Sequence, residues 1–559
     1  MVRGCHGDKL KKPITYQKLR GGYYTPQPIA SFLSSWAIQS AGDRVLEPSC
    51  GDGVFVETAA ERLIALGAQP AGLSSQIMAY EIDQNEARLA TQRLSRFVKK
   101  SNGAVKTGDF FSSAISWNGN GTFDAIVGNP PFVRYQQFPE DQREKAFQLM
   151  RTFGLHPNRL TNSWVPFVVA SASLLGSSGR LAMVLPAELL QVTYAAQLRS
   201  FLTDYFSQVR VITFRGLPFP GIQQEIILLL ARRGSSTKPG IELVELNDAS
   251  DLDKHADKRF GASGFKKINH TTDKWIQYYL SQSEIDLLRS LRDDPKLTRF
   301  GDLADTDIGI VTGMNEVFAL SEEEVLEYGL MEFSHRLVGR SGHLAGTVFR
   351  NGDWGKSVKS GNKAFLLNIP PVALEELPYN LVAYLKKAET ARLNVGYKCR
   401  IRKFWYTVPS VYIPDAFMLR QIHLYPKLVV NDARATCTDT IHRVRFKQHV
   451  SERHVAAAFL NSLTFAFTEI MGRSYGGGVL ELEPSEADGL PVPLLKSASL
   501  IPNEIDALVR AGLIEEVLDI TDQKLLVDGL GLDAHQVRML RTIWIKLRTR
   551  RTGRKNGNG

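Results

Sequence analysis

The 559-residue sequence has little cysteine: Cys5, Cys50, Cys399 and Cys437 stand far apart, with no CxxC pair and no Cys/His cluster. That spacing offers neither a disulfide framework nor a metal site, and it suits a reducing, cytoplasmic setting. No stretch approaches the roughly 18 uninterrupted apolar residues of a membrane span, and the polar N-terminus MVRGCHGDKLKKP leads into no apolar core, so neither membrane insertion nor secretion is expected. Internal repeats are absent, and low complexity is confined to the extreme C-terminus. Acidic residues are missing from residues 541–559, which hold seven basic ones; of the net charge of +10, that leaves +3 on the other 540. The global charge is therefore weak evidence for a polyanionic partner, and the tail RTRRTGRKNGNG reads as a solvated end or a phosphate-touching arm.

What is present is ordinary for a globular protein, with 43% hydrophobic and 23% charged residues. The length allows roughly two to four domains. Between residues 44 and 232, short β-branched runs alternate with helical patterns, the sequence form of a parallel sheet covered by helices. The expected strands are 44–48, 76–83, 104–110, 123–131, 180–186, 208–214 and 225–232, and the last two are joined by GLPFPGIQQ with no helix, so the final one is expected antiparallel at or beside the sheet edge. Ahead of the first strand, Ile29, Phe32, Leu33, Trp36 and Ala37 form one helical stripe that packs on the sheet. At GSSTKPG (234–240) the rhythm stops, and mixed shorter elements follow until helical periodicity returns over 502–547. The expected organisation is an α/β, Rossmann-like seven-stranded domain over 1–235, a mixed α+β domain over 236–500 and a helical segment with a basic tail over 501–559.

The chemistry is concentrated at the carboxyl ends of the expected strands, where open parallel sheets bind ligands. VLEPSCGDGVF places Glu47 at the end of the first strand, with Gly51 and Gly53 in the turn that follows. GxGxxG is absent, and Asp52 inside the turn would repel a pyrophosphate, so a ligand bearing positive charge fits better. Glu81 closes the second strand, where a carboxylate can accept both hydroxyls of a ribose. Asp109 closes the third and offers an acceptor for an adenine amino group or a helix cap. Gly128-Asn129-Pro130-Pro131-Phe132 closes the fourth. Two prolines stiffen the backbone and leave carbonyls without competing N–H donors, while Asn129 adds an amide oxygen and Phe132 a stacking face. Such a group can take both hydrogens of a planar aromatic amine and hold the nitrogen lone pair out of the ring for attack, without a dedicated base.

With these residues in order, the sequence resembles the S-adenosylmethionine-dependent amino-group DNA methyltransferases of the TaqI-like, Eco57I-like N6-adenine family. The resemblance implies that Thr25, in GYYTPQPIASFL, and its neighbours contact the methionine carboxylate of S-adenosylmethionine, that Glu47 and Gly51 lie at the methionine moiety, that Glu81 holds the ribose and that Asp109 holds the cofactor adenine. It makes Asn129, Pro130, Pro131 and Phe132 the catalytic motif, with phenylalanine replacing the frequent tyrosine, and it puts Phe219 on a flipped target base, a position that a loop phenylalanine tucked into a core explains equally well. GIVTGMNEVFAL (309–320), RKFWYTVP (402–409) and the region around RSYGGG, including Arg473 and Tyr475, resemble the family's target-recognition domain. Arg400, Arg402 and Lys403 beside Trp405 and Tyr406 suit a nucleic-acid surface or, equally, a buried aromatic strand with snorkelling bases.

The expected function is therefore methylation of adenine N6 in a specific duplex DNA, as the modification component of a restriction-modification or phage-defence system. N4-cytosine methylation is the alternative, with RNA or protein-glutamine methylation more distant. No PD…(D/E)xK nuclease constellation stands out and 43 residues precede the first strand, so a restriction endonuclease or defence subunit is expected to be a separate protein. No metal is expected.

Overall fold

Residues 24–98, 103–117, 122–216, 225–236, 239–252, 264–269, 274–447, 450–475, 478–494 and 500–553 are described by the structure, a computed structural model. They fall into two compact units that meet in sequence at Gln282 and Ser283.

The first unit is built on an eight-stranded sheet. Its strands are β1 (Val45–Glu47), β2 (Ile77–Glu81), β3 (Val105–Thr107), β4 (Phe123–Gly128), β5 (Leu175–Pro186), β6 (Gln208–Phe214), β7 (Ile226–Arg232) and β8 (Gly240–Leu246), in the spatial order β3-β2-β1-β4-β5-β7-β6-β8. All neighbours run parallel except β7, which is antiparallel to both β5 and β6. The seven expected strands are thus present, and β7 is antiparallel as expected but lies two places in from the edge, because β6 and then β8 follow it, and not at or beside the edge. The eighth, β8, corrects the expectation that the rhythm ends at 235. IELVEL pairs parallel with the whole of β6, and Glu242 on β8 accepts a hydrogen bond from Arg210 on β6 at 2.6 Å, so a buried ion pair joins the two strands.

Both faces of the sheet are covered, as near-continuous apolar strands require. Ala125, Val127, Ala182, Val184, Leu228 and Leu230 share one core with α1 (Gln27–Ala37), α2 (Val54–Ala65) and α3 (Gln84–Leu94). The alternate strand positions Ile126, Leu181, Met183 and Leu229 are equally buried. The expected stripe of α1 packs as read: Ile29, Phe32, Leu33 and Ala37 are buried and Trp36 lies partly buried against the same core. α4 (Phe110–Ser116) and α5 (Glu140–Thr152) follow, and every residue of α6 (Trp164–Ser173) is buried.

The second unit is mixed α+β. A five-stranded sheet takes the order Ala304–Ile308, Ile441–Phe446, Ala416–Leu419, Leu428–Asn431, Val348–Phe349, and smaller sheets of four, three and two strands surround it. The C-terminal helix Ala534–Gly553 packs along Ser462–Met471, so the segment after 500 belongs to this unit and is not a separate domain. Its basic residues are also not simply solvated: Arg541 pairs with Asp519 at 2.8 Å and Asp522 at 3.3 Å, and Arg551, 2% exposed, donates to the buried Glu469 carboxylate at 2.7 Å and to the Gly478 carbonyl.

Candidate active site

Parallel pairing of β1 with β2 and β4, and of β2 with β3, sets the carboxyl ends of these four strands side by side. The turn after β1 depends on glycine. Gly51 and Gly53 take φ of +50° and +89°, and a Cβ on Gly53 would fall 2.5 Å from the Ala90 backbone of α3. Space around Gly51 is open, and a Cβ there would meet nothing within 4 Å. Glu81 fastens this turn to β2: one carboxylate oxygen accepts the Gly51 amide at 2.9 Å and the other the Asp83 amide at 2.8 Å. Burial raises the Glu81 pKa, and those amides oppose the rise. Asp52 is held from outside by Arg93 at 2.5 Å. The Cys50 thiol is buried and pushed well up in pKa by that burial, which leaves it protonated and inert.

Glu47 is the electrostatic anomaly of the site. It is 2% exposed, and neither carboxylate oxygen has a hydrogen bond of normal geometry among the described residues. Burial raises its pKa well above the usual range, with the charges of Glu81 and then Asp52 adding to the rise and the Ser49 amide only weakly opposing it. A buried acid without a cation is expensive, and a ligand that brings its own positive charge would satisfy it. The same carboxylate runs beneath the first residue of GNPPF: a Cβ on Gly128 would lie 2.9 Å from Glu47 Oε1. The turn and the motif therefore share one floor.

The motif itself is held from two sides. The Asn129 amide nitrogen donates to Thr25 Oγ1 at 3.2 Å, and Thr25 is buried. Beyond it, the Ser163 hydroxyl donates to the Pro131 carbonyl and accepts the Val133 amide at 2.9 Å, while the Ser163 amide donates to the Val133 carbonyl at 2.9 Å. Phe132 is partly buried against the core shared by α1, α2 and α3. Ser163 carried no signal in the sequence, because a serine between two helices acquires a role only when the chain brings it to the motif.

Of the sequence-selected residues, Thr25, Glu47, Gly51, Glu81 and Asn129 to Phe132 come together here. Asp109 caps α4, accepting the Phe111 and Ser112 amides at 3.2 Å and the Ser112 hydroxyl at 2.7 Å, so the capping role is present in the structure. Phe219 lies outside the described residues. In the second unit, Arg473 and Tyr475 lie on the strand Arg473–Tyr475; Arg473 Nε donates to the buried Glu486 carboxylate at 2.9 Å, which gives this arginine a structural partner. No cluster of three or more His, Cys, Asp or Glu side chains suited to a metal occurs among the described residues, and no described helix is long and apolar enough to cross a membrane.

This sheet order, with its one reversed strand and acidic strand ends, defines a class I methyltransferase fold joined to a mixed α+β domain. Over 95% of this chain and 73% of the other, it superposes on the type IIL restriction-modification enzyme MmeI, solved in complex with DNA, with a TM-score of 0.53 at 14% identity, a likeness of fold. The family model for the Eco57I restriction-modification methylase matches residues 55–218, and that for the C-terminal domain of the type II methyltransferase M.Eco57I matches residues 272–526. The chain belongs to the Eco57I-like restriction-modification methylases. It is 23% identical over 488 residues to the type II methyltransferase M.AccI of Acinetobacter calcoaceticus, covering 85% of each chain. It is 21% identical over 503 residues to M.XamI of Xanthomonas campestris pv. amaranthicola, covering 87% of this chain and 88% of that one. With M.HindII of Haemophilus influenzae it shares 23% over 346 residues, 59% of this chain and 60% of that one.

Proposed function

We propose that this protein methylates the exocyclic N6 amino group of an adenine flipped out of a specific duplex DNA sequence, as the modification component of a restriction-modification or phage-defence system. The observation that carries the proposal is the Asn129-Pro130-Pro131-Phe132 motif at the end of β4, with its side chain held by Thr25 and its backbone held by Ser163. Its chemistry suits an aromatic amine, and membership of a restriction-modification methylase family supports DNA as the substrate.

The methyl donor is S-adenosylmethionine, which when bound supplies an electrophilic methyl group on a sulfonium. The residues present fit it: the buried, uncompensated Glu47 carboxylate suits the cationic amino-acid end, the open backbone of Gly51 allows close approach, and Glu81 is set to accept ribose hydroxyls. Asp109 keeps the orientation of its carboxylate through the α4 cap and supplies an acceptor for the adenine amino group.

Asn129 and the Pro130 carbonyl accept the two hydrogens of the target amine. The bond from Asn129 nitrogen to Thr25 fixes which end of the amide faces the amine. Phe132 stacks on the base. Held in this way, the amine keeps its lone pair out of conjugation with the ring; a bound S-adenosylmethionine would supply the methyl group, its S–C bond giving way to the new N–C bond, and the surplus amino proton would be lost to water. Positioning and fixed dipoles provide the catalysis.

Labelled methyl transfer to mixed genomic DNA, followed by nucleoside digestion, tests the proposal in the wild type and in Asn129→Ala. Label is expected in N6-methyladenine and is expected to vanish in the variant. Label in cytosine would keep the mechanism and change the base. No label in DNA despite cofactor binding would overturn the proposal.

A further inference from the structure

The segment that leads into α1 is fastened in two opposite directions by consecutive residues. The Tyr24 hydroxyl donates to Glu86 Oε1 at 2.8 Å, across 62 residues, and Glu86 stands in the first turn of α3. Thr25 accepts the Asn129 amide at 3.2 Å, at the end of β4. α3 follows β2, and β1 lies between β2 and β4 in the sheet, so the two bonds stretch this dipeptide across the carboxyl end of β1, the place of Glu47 and the Gly51 turn. Neighbouring strands lie about 4.8 Å apart, which puts β2 and β4 about 10 Å apart, a span that a tyrosine and a threonine on adjacent residues can bridge. Behind the dipeptide, the Pro26 carbonyl accepts the Ile29 and Ala30 amides at 3.0 and 3.2 Å as α1 begins. α1 is fixed in turn by its packing on the core and by the buried Ser34–Thr58 hydroxyl pair at 2.8 Å.

The anchor at α3 is built to hold. Glu86, Ala90 and Arg93, at i, i+4 and i+7 on one face of that helix, meet Tyr24, Gly53 and Asp52 respectively. Among the described residues Tyr24 is the one hydrogen-bond donor to the Glu86 carboxylate, because the other oxygen, Glu86 Oε2, is buried and takes none. A partly buried carboxylate with a single donor makes that bond costly to lose. Glu86 also lies near enough to Glu81 for its charge to add, after burial, to the rise in the Glu81 pKa. A phenol donating to Glu86 offsets that charge beside the residue set to accept the ribose. Tyr24 itself is 47% exposed, so its hydroxyl can be removed without opening a cavity in the core.

We propose that Tyr24 and Glu86 are positioning residues for methyl transfer: they anchor one end of a strap, residues 24–25, that spans the cofactor crevice and holds the Asn129 amide in place through Thr25. The strap joins the ribose side of the site to the amine side, so the acceptor that orients the target amine is held, at one remove, by the helix beside Glu81. Glu86 belongs to none of the motifs read in the sequence. The proposal rests on the methyltransferase reading above and deepens it by two residues that act through Thr25.

The test is single-turnover methyl transfer to unmethylated genomic DNA at saturating S-adenosylmethionine, in the full chain. It compares the wild type with Tyr24→Phe, Glu86→Ala, Glu86→Gln, Thr25→Val and the double variant Tyr24→Phe/Thr25→Val. Thermal melting and S-adenosylmethionine calorimetry on the same samples establish that each is folded. Tyr24→Phe and Glu86→Ala are expected to slow transfer about three- to tenfold, part of the loss of a hydrogen bond to a charged group being passed on to Asn129. Glu86→Gln keeps an acceptor for the phenol and is expected to restore most of the rate lost in Glu86→Ala. In the double variant, Thr25→Val has already released Asn129, so removing the Tyr24 hydroxyl should slow the reaction no further, whereas independent contributions would multiply. Multiplying effects, or a folded Tyr24→Phe with the wild-type rate, would overturn the strap and leave the methyltransferase reading standing. Equal losses in Glu86→Gln and Glu86→Ala would assign the effect to the Glu86 charge and overturn the role of its bond to Tyr24. A wild type that neither binds S-adenosylmethionine nor labels DNA would remove the methyltransferase reading itself, and this proposal with it.

Discussion

The Asn129 side chain hydrogen-bonds Thr25 across 104 residues of sequence, at 3.2 Å, and so ties the segment ahead of α1 to the end of β4. Two regions that the sequence presents as separate cofactor and catalytic motifs are one hydrogen-bonded unit. The amide of Asn129 is oriented by this bond before any substrate arrives, which is the state an electrostatic catalyst requires.

Thr25→Val keeps the shape of the side chain and removes the acceptor. A neutral hydrogen bond of this type contributes about 1 kcal/mol, so single-turnover methyl transfer at saturating cofactor and DNA is expected to fall about five- to tenfold. Thr25→Ser is expected to restore most of the rate. Equal rates for the valine and serine variants would show that the bond does not orient Asn129.

Ser163→Ala removes the hydroxyl that both donates to the Pro131 carbonyl and accepts the Val133 amide. Leaving those two groups without it is expected to destabilise the first unit by about 1–3 kcal/mol. The melting temperature should fall a few degrees, at about 2–4 °C per kcal/mol for a unit of this size. The transfer rate should fall with it while cofactor affinity is retained. Wild-type melting and wild-type rate together would refute the clamp.

Glu47 gives the site a pH dependence with a definite sign. Its pKa is raised in the folded state, first by burial and then by Glu81 and Asp52, so the folded chain holds a proton that the unfolded chain releases at lower pH. Its contribution to stability is greatest below the unfolded pKa and is lost as pH rises from there toward the folded pKa. Glu47→Gln is therefore expected to raise the melting temperature of the cofactor-free protein at neutral pH. A cation placed against Glu47 favours the ionised form, so wild-type cofactor affinity should increase with pH, with proton release on binding detectable by calorimetry in two buffers. In Glu47→Gln the affinity should be lower and nearly independent of pH. A pH dependence that survives in the variant would assign the titration to another group.

Arg551 and Glu469 form a buried pair in the second unit. Arg551→Met leaves the Glu469 carboxylate, already raised in pKa by burial, without its cation and is expected to cost about 3–5 kcal/mol in denaturant unfolding. Combining it with Glu469→Leu should recover most of that loss. If the double variant is no more stable than Arg551→Met alone, the cost lies in packing and not in the stranded charge.

Much of the first unit was legible in the sequence. Strand periodicity and the glycine turns located seven strands, because a sheet buried on both faces must be written as short apolar runs. β8 was missed because IELVEL, with glutamates three apart, shows neither strict alternation nor a continuous apolar run and follows a GSSTKPG break; only its pairing with β6 and the Arg210–Glu242 bridge reveal it. For the same reason the boundary moved from 235 to Gln282. In the C-terminal helix the sequence shows charge but not partners, so Arg551 reads as part of a basic tail until Glu469 is placed beside it.

By itself the sequence determined the alternation of strands and helices, the acids at the strand ends and the Asn-Pro-Pro-Phe motif, since these depend on local periodicity and on the chemistry of adjacent residues. Only the tertiary structure decided that Thr25 and Ser163 hold that motif, that Glu47 runs beneath Gly128 without a compensating charge, and that Tyr24 reaches Glu86. Each of these is a contact between residues distant in the chain, set by strand register and packing, and none is encoded in any window short enough to read.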